Sequence, residues 1–167
     1  MGEKTKQNLY TAFVAEAKAY FRLLAYAEKA EEEGYPQIAA LFKAVAEAER
    51  VHATRHLKLL GEVITRDTES NLKASFEREE KASGVYYPQF IREAEEEGDK
   101  QASISFSHAR DVEEEHASLY KRALQHLVAE TAPEYYVCQI CGYIAEGNPP
   151  ERCPVCNAPK EKFKKIT

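Results

Sequence analysis

The chain has 167 residues, of which 44% are hydrophobic and 31% charged, and its formal net charge is −5. This acidic balance argues against nucleic acid as the main partner. No run of 18 apolar residues exists, so we expect no membrane association, and the N-terminal "MGEKTKQNLY" lacks the apolar core of a secretory signal. We therefore expect a cytoplasmic protein.

Four helices are predicted in the first 132 residues, where the strong helix formers Ala, Glu, Lys and Leu dominate. Their ranges are about 4–33, 36–60, 69–97 and 99–129. Glycine follows the first three of them, as is typical just beyond a helix C-terminus. Pro88, inside the third helix, predicts a bend there. Four helices that pack by their apolar stripes predict a four-helix bundle.

An internal repeat relates the two halves of this helical region. The segment "KAEEEGYPQ" at 29–37 recurs as "EAEEEGDKQ" at 93–101, an offset of 64 residues. The same offset relates Glu49 to Glu113 and His52 to His116. The repeat predicts two helical hairpins with pseudo-symmetry.

Each half carries a Glu-x-x-His pair on an apparently buried stripe. In the second helix, Ile38, Phe42 and Val45 lead to Glu49 and His52 at spacings of three and four. Residues i and i+3 share a helix face, so that the acid and the imidazole can reach one ion together. Burying unpaired carboxylates costs several kcal/mol, a cost that divalent cations relieve. A single Glu-x-x-His pair commonly occurs by chance on an exposed helix face. Two copies at matching positions of the repeat favour a metal site.

The first and third helices are each expected to add a carboxylate. Glu16 shares a line with Leu9, Phe13 and Tyr20 in the first helix. Two Glu-x-x-His pairs with one Glu from each of two further helices make the di-iron or di-manganese carboxylate site. The spacing therefore predicts a two-metal site in the bundle core.

All four cysteines lie in the tail, which is also rich in proline. They form two Cys-x-x-Cys knuckles separated by eleven residues: Cys138, Cys141, Cys153 and Cys156. Two such knuckles predict a tetrahedral tetrathiolate rather than disulfides, and the spacing leaves zinc and a single iron as alternatives. The tail is too short for a sizeable core, so we expect the metal to hold it together.

These motifs resemble the rubrerythrin family over nearly the whole chain. The helical part is similar in "NLYTAFVAEAKAY", "AERVHATRHL", "YYP" and "EEEHASLY", and the tail "YVCQICGYIAEGNPPERCPVC" resembles rubredoxin. The resemblance implies a ferritin-like four-helix bundle over 1–132 and a rubredoxin-like domain over 133–167. Within that resemblance, Gly142 and Tyr143 after the first knuckle favour iron over zinc.

The resemblance also implies the ligands of a di-iron site, namely Glu16, Glu49, His52, Glu113, His116 and an acid of the third helix. Alignment through "YYP" places that acid at Glu79, whereas the offset of 64 maps Glu16 onto Glu80. One extra residue in the third helix, as a π-bulge near Gly84 and Pro88, would favour Glu79. Tyr87 is expected to hydrogen-bond a ligand carboxylate, with core packing as its alternative role.

One position departs from the family pattern. Rubrerythrins usually carry a further glutamate three residues after the third-helix ligand, and Ala82 occupies that position here. In the family this acid alternates with the second-helix histidine as the redox state changes. Because alanine has no ligand atom, we expect His52 to stay bound in both redox states.

The function implied by the resemblance is a non-haem peroxidase that reduces hydrogen peroxide to water. Electrons would come from NAD(P)H through a donor protein such as rubredoxin or its reductase and pass through the Fe(Cys)4 centre of a homodimer. The alternative is a ferritin-like protein that oxidises iron or reacts with dioxygen. A third interpretation is a zinc ribbon beside a helical interaction domain.

Overall fold

The computed structural model describes residues 1–61, 67–125 and 133–166. The chain divides into two compact units, which comprise residues 1–66 and 67–167. Among the described residues, no helix is both long and apolar enough to cross a membrane.

The first unit is a helical hairpin. Its helices are α1 (Glu3–Glu32) and α2 (Pro36–Leu60). The turn between them needs Gly34, whose φ of +80° lies in the left-handed region, and Pro36 opens α2 with a ring that suits the first turn. Both helices therefore begin and end within two residues of the predicted positions.

Small residues occupy the contact line of this hairpin. Ala27, Ala30 and Ala39 form its buried cluster, against which Phe42 packs. The predicted stripe is wrong in part, because Ile38 and Val45 are 40% and 36% exposed. Two helices bury only the residues along their line of contact, and alanine allows the closest approach there.

The second unit continues with the third predicted helix, which has an interruption. It consists of α3 (Thr68–Lys81), a π-helical turn (Ala82–Tyr86) and α4 (Tyr87–Glu97). The π turn confirms the predicted extra residue. Because α4 begins directly after it, Pro88 lies in the first turn of α4. Gly98 then ends α4 in the left-handed conformation, and α5 (Lys100–Gln125) returns along it.

The cysteine module completes the second unit. Its three-stranded antiparallel sheet has the order β2-β1-β3, with strands β1 (Tyr135–Cys138), β2 (Ile144–Glu146) and β3 (Phe163–Ile166). The buried residues Cys138, Cys153 and Ala158 form its interior. Cysteine side chains thus take the place of a conventional apolar core.

The predicted fold class, mainly α-helical with a small knuckle module at the C-terminus, is confirmed. The predicted end of the fourth helix near 129 and the domain boundary at 132–133 fall on or beside 126–132, outside the described residues. The boundary itself stays a prediction.

Candidate metal centres

Three predicted ligands meet in the first unit. Glu16 of α1 and Glu49 and His52 of α2 each offer one ligand atom, and these atoms lie within 4.8 Å of one another. We call them the first ligand group. The i,i+3 spacing brings His52 Nδ1 to 3.0 Å from Glu49 Oε2.

Three more predicted ligands meet in the second unit. Glu79 of α3 and Glu113 and His116 of α5 place one ligand atom each within 4.8 Å of one another. We call them the second ligand group. His116 Nδ1 lies 3.0 Å from Glu113 Oε2, which repeats the geometry of the first group and matches the internal repeat.

The π turn explains why Glu79 rather than Glu80 belongs to the second ligand group. Glu79 and Tyr87 are eight residues apart, and the extra residue of the π turn makes this spacing equivalent to about seven, which is two helical turns. Both side chains therefore face α5. Glu80 also lies near α5, but outside the second ligand group, where it lines a separate cavity of about 470 Å³ with Arg110 and Glu114.

The charges of the second ligand group act on one another in the absence of a cation. Burial, and then the neighbouring Glu113 carboxyl, raise the pKa of Glu79. Burial also raises the pKa of the Tyr87 hydroxyl, with further contributions from the charges of Glu113 and Glu79. Two carboxyl groups held close together, with the pKa of one raised, are typical of a site that binds a cation.

Neither ligand group is fully enclosed, which differs from the buried stripes predicted for the Glu-x-x-His pairs. The side chains of Glu49 and His52 are 21% and 57% exposed, and those of Glu113 and His116 are 23% and 21% exposed. The ligands of each group come from two neighbouring helices, which leave part of each side chain uncovered. That the two groups combine into one two-metal site stays a prediction.

The four cysteines converge as predicted. One sulfur pair, Cys138 and Cys156, is separated by 3.7 Å, and the other, Cys141 and Cys153, by 3.5 Å. A tetrahedral ion with sulfur ligands at about 2.3 Å separates those sulfurs by about 3.8 Å. The sulfurs are therefore already spaced for one tetrahedral metal, and we call them the cysteine site.

The surroundings of the cysteine site shift the pKa values of its thiols in different directions. Burial acts to raise the pKa of Cys138, but backbone N–H groups of Cys141 and Ile140 outweigh it, and the pKa is lowered. Burial raises the pKa of Cys141 and of Cys156. A bound cation would favour the thiolate at all four positions.

A contact that the sequence did not predict joins the cysteine module to the second ligand group. His116 Nε2 lies 3.2 Å from the carbonyl oxygen of Gly142, the residue after Cys141. Nothing in the sequence pattern marks this pair, because 26 residues separate the two partners. Only the packing of the module on α5 brings them together.

The family comparison agrees with this geometry over nearly the whole chain. The rubrerythrin family model matches residues 7–124, and the model of the rubrerythrin rubredoxin-like domain matches residues 136–164. The chain belongs to the rubrerythrin family. As a member of that family, it carries a di-iron carboxylate site and a rubredoxin-like Fe(Cys)4 site.

Individual rubrerythrin relatives match along almost their full length. Nigerythrin of Nitratidesulfovibrio vulgaris is 34% identical over 171 residues, which cover 95% of this chain and 85% of that protein. Rubrerythrin of Porphyromonas gingivalis is 35% identical over 179 residues, which cover 97% of this chain and 90% of that protein.

Solved structures of nigerythrin show the same fold. A structure of its fully reduced, all-ferrous state matches with a TM-score of 0.59 at 34% identity, and the match covers 99% of this chain and 88% of that chain. A partially reduced state of nigerythrin matches with the same TM-score.

The residues present fit the irons of a rubrerythrin. Adjacent ligands of an octahedral ion at about 2.1 Å lie about 3.0 Å apart. The separation of imidazole nitrogen and carboxylate oxygen is 3.0 Å in both ligand groups. Each group thus supplies mixed nitrogen and oxygen donors at the spacing that one divalent cation requires.

Proposed function

We propose that this protein is a peroxidase that reduces hydrogen peroxide to water at a di-iron site, with electrons relayed through the Fe(Cys)4 centre. The observation that supports this proposal is the second unit, where the cysteine site and a carboxylate–histidine group occur together. A tetrathiolate centre exchanges one electron at a time. Iron storage has no need of such a relay.

The proposed ligands are the two ligand groups, Glu16, Glu49, His52, Glu79, Glu113 and His116. When bound there, two ferrous ions would supply the two electrons that, with two protons, convert hydrogen peroxide into two molecules of water. The carboxylates hold the ions and balance their charge, and the imidazoles complete the donor set.

Tyr87 is proposed to act beside these ligands. Burial, and then the charges of Glu113 and Glu79, raise the pKa of its hydroxyl. We propose that it donates a hydrogen bond to a ligand carboxylate and so orients that carboxylate. The aromatic ring also packs edge-on against Phe90, which limits its rotation.

The proposed setting of the reaction is a cytoplasmic homodimer. Electrons would come from NAD(P)H through a donor protein, such as rubredoxin or its reductase, that docks near the cysteine site. Nigerythrin has been captured in fully reduced and partially reduced states, which supports a redox cycle in the family.

Stopped-flow mixing tests the proposal. The reduced, iron-loaded protein is mixed separately with hydrogen peroxide and with dioxygen, and oxidation is followed by absorbance. We expect peroxide to oxidise the protein faster, with one peroxide consumed per two irons of the carboxylate site. Equal or faster oxidation by dioxygen would contradict the peroxidase assignment.

A ferritin-like iron oxidase is the second candidate, and Ala82 is the observation that favours it. Ala82 begins the π turn one helical turn after Glu79, and it leaves that position without a ligand atom. The variant Ala82→Glu restores the carboxylate usual in the family. Were dioxygen the true oxidant, this variant would shift the preference from dioxygen towards peroxide. Purified protein also distinguishes the zinc-ribbon interpretation, because a ferric tetrathiolate is red and zinc is colourless.

A further inference from the structure

The cysteine module contacts α5 of the same unit through three kinds of interaction. Arg122 of α5 pairs with Glu146 of β2 at 3.0 Å. Val112, which is buried, lies with Cγ1 3.7 Å from the position that a Cβ on Gly142 would occupy. His116 Nε2 lies 3.2 Å from the Gly142 carbonyl oxygen.

The chemistry of the His116 partners determines which nitrogen a metal takes. Nδ1 faces the Glu113 carboxylate at 3.0 Å, on the side where Glu79 also lies. Nε2 faces a backbone carbonyl, which accepts hydrogen bonds and cannot donate them. A cation held by the second ligand group would therefore take Nδ1, which would leave the proton on Nε2 for the carbonyl to accept.

The cysteine site in turn holds this carbonyl in place. Gly142 adopts a φ of +86°, and its N–H donates to the Cys138 carbonyl at 2.9 Å. The loop that presents the carbonyl is thus the one that wraps around the first cysteine knuckle. Glycine suits this position because other residues rarely adopt a positive φ.

We propose that the Gly142 carbonyl is a positioning group for the metal ligand His116. It holds the imidazole in the tautomer with its proton on Nε2 and so aims Nδ1 at the cation. The cysteine module and the second ligand group then form one hydrogen-bonded unit within a single chain. The inference rests on the proposed ligand role of His116 but does not require peroxide as substrate.

Nuclear magnetic resonance of the zinc-loaded full chain tests the proposal, because zinc is diamagnetic in both kinds of site. We expect the His116 ring to carry its proton on Nε2 and to show a scalar coupling through the hydrogen bond to the carbonyl carbon of Gly142. A proton on Nδ1, or a metal on Nε2, would overturn the proposal.

Two glycine variants provide a matched pair. Gly142→Ala and Gly147→Ala introduce the same strain, since both glycines have positive φ, of +86° and +81°. Only at position 142 does this strain fall on the residue whose carbonyl meets His116, and the added Cβ itself would make an ordinary contact with Val112. We expect Gly142→Ala to lose the coupling and to weaken zinc binding at the second ligand group by about 10-fold, whereas Gly147→Ala keeps both. Equal effects of the two variants would refute a specific role for Gly142.

Val112→Phe provides a second route if Gly142→Ala disturbs the cysteine module itself. The larger side chain separates α5 from the loop without changing any residue of the module. We expect the same loss of coupling and a similar fall in zinc affinity, with the spectrum of a cobalt-loaded cysteine site unchanged. Retention of the coupling in this variant would contradict the proposal.

These measurements separate the inference from the proposed function. An Nε2 proton and a coupling in a protein that fails to reduce peroxide would sustain the positioning role and overturn the peroxidase. Rapid peroxide reduction in a protein with the His116 proton on Nδ1 would sustain the peroxidase and overturn the positioning role.

Discussion

At the scale of single residues, the carboxylate of Glu79 is unfavourable for folding without metal but is required for metal binding. In the metal-free protein its pKa is raised by burial and by Glu113, so the folded state holds the proton to a higher pH than the unfolded chain does. Stability therefore falls as the pH rises through the folded pKa. A bound cation reverses this cost because it favours the carboxylate.

Glu79→Gln should stabilise the metal-free protein at neutral pH and abolish the gain in stability from added metal. The reason is that glutamine keeps the size of the side chain but has no charge to bury. Thermal melts from the ordinary glutamate pKa of about 4.3 upwards should show the advantage of the variant grow with pH.

Glu80→Gln is the control for this experiment, since Glu80 lies outside the second ligand group. It should leave both the metal-free stability and the metal response close to those of the original protein. A metal response that disappears in Glu80→Gln but persists in Glu79→Gln would show that the third-helix ligand has been misassigned.

At the scale of helices and strands, the π turn brings Glu79 and Tyr87 onto one face, beside Glu113 of α5. One extra residue between α3 and α4 rotates one segment relative to the other by about 100°. The offset of 64 that relates the other ligands therefore fails at this one position, where it points to Glu80. The repeat is regular in sequence, but the third helix is not regular in geometry.

Deletion of Gly84 should convert the third helix into a regular α-helix and separate Glu79 from Tyr87 in angle. We expect helical content to be retained and metal affinity of the second ligand group to fall about 10- to 100-fold, as when a ligand loses its support. Isothermal titration with zinc, with the cysteine site already filled, would measure this fall.

Gly84→Ala is the matched control, because a Cβ at this position meets no atom within 4 Å and the chain length is unchanged. It should bind metal as the original protein does. Unchanged affinity after the deletion would mean that the π turn has no part in placing Glu79.

At the scale of the whole molecule, the chain is stabilised in two different ways. The helices pack along lines of small residues, whereas the cysteine module has cysteines in its interior. Such a module gains its folding free energy from the metal. Loss of the cysteine metal should therefore be a local event.

Cys153→Ser should unfold the module and leave the helices folded. Far-ultraviolet circular dichroism should change little, while the amide resonances of 133–166 should collapse towards random-coil positions. Ile140→Ser is the control, since Ile140 is exposed in the same knuckle and offers no ligand to the site. Loss of helical signal in Cys153→Ser would show that the module also stabilises the helices.

Much of this organisation follows from local patterns. Gly34, Gly98 and Pro36 set the helix ends because φ is restricted or freed at those residues themselves. The Glu-x-x-His pairs meet because i and i+3 share a face of any α-helix. The burial of the predicted stripe was overestimated, since spacing shows which residues share a face but not how much of that face a neighbour covers.

The sequence by itself determined the helices, the pairing of Glu49 with His52 and of Glu113 with His116, the cysteine site and the family. All of these depend on residue types at short spacings. Only the tertiary structure decided that Glu79 faces α5 and that the Gly142 carbonyl meets His116. The first depends on the geometry of a π turn and the second on packing between distant segments, where orientation in space and not order along the chain sets the contact.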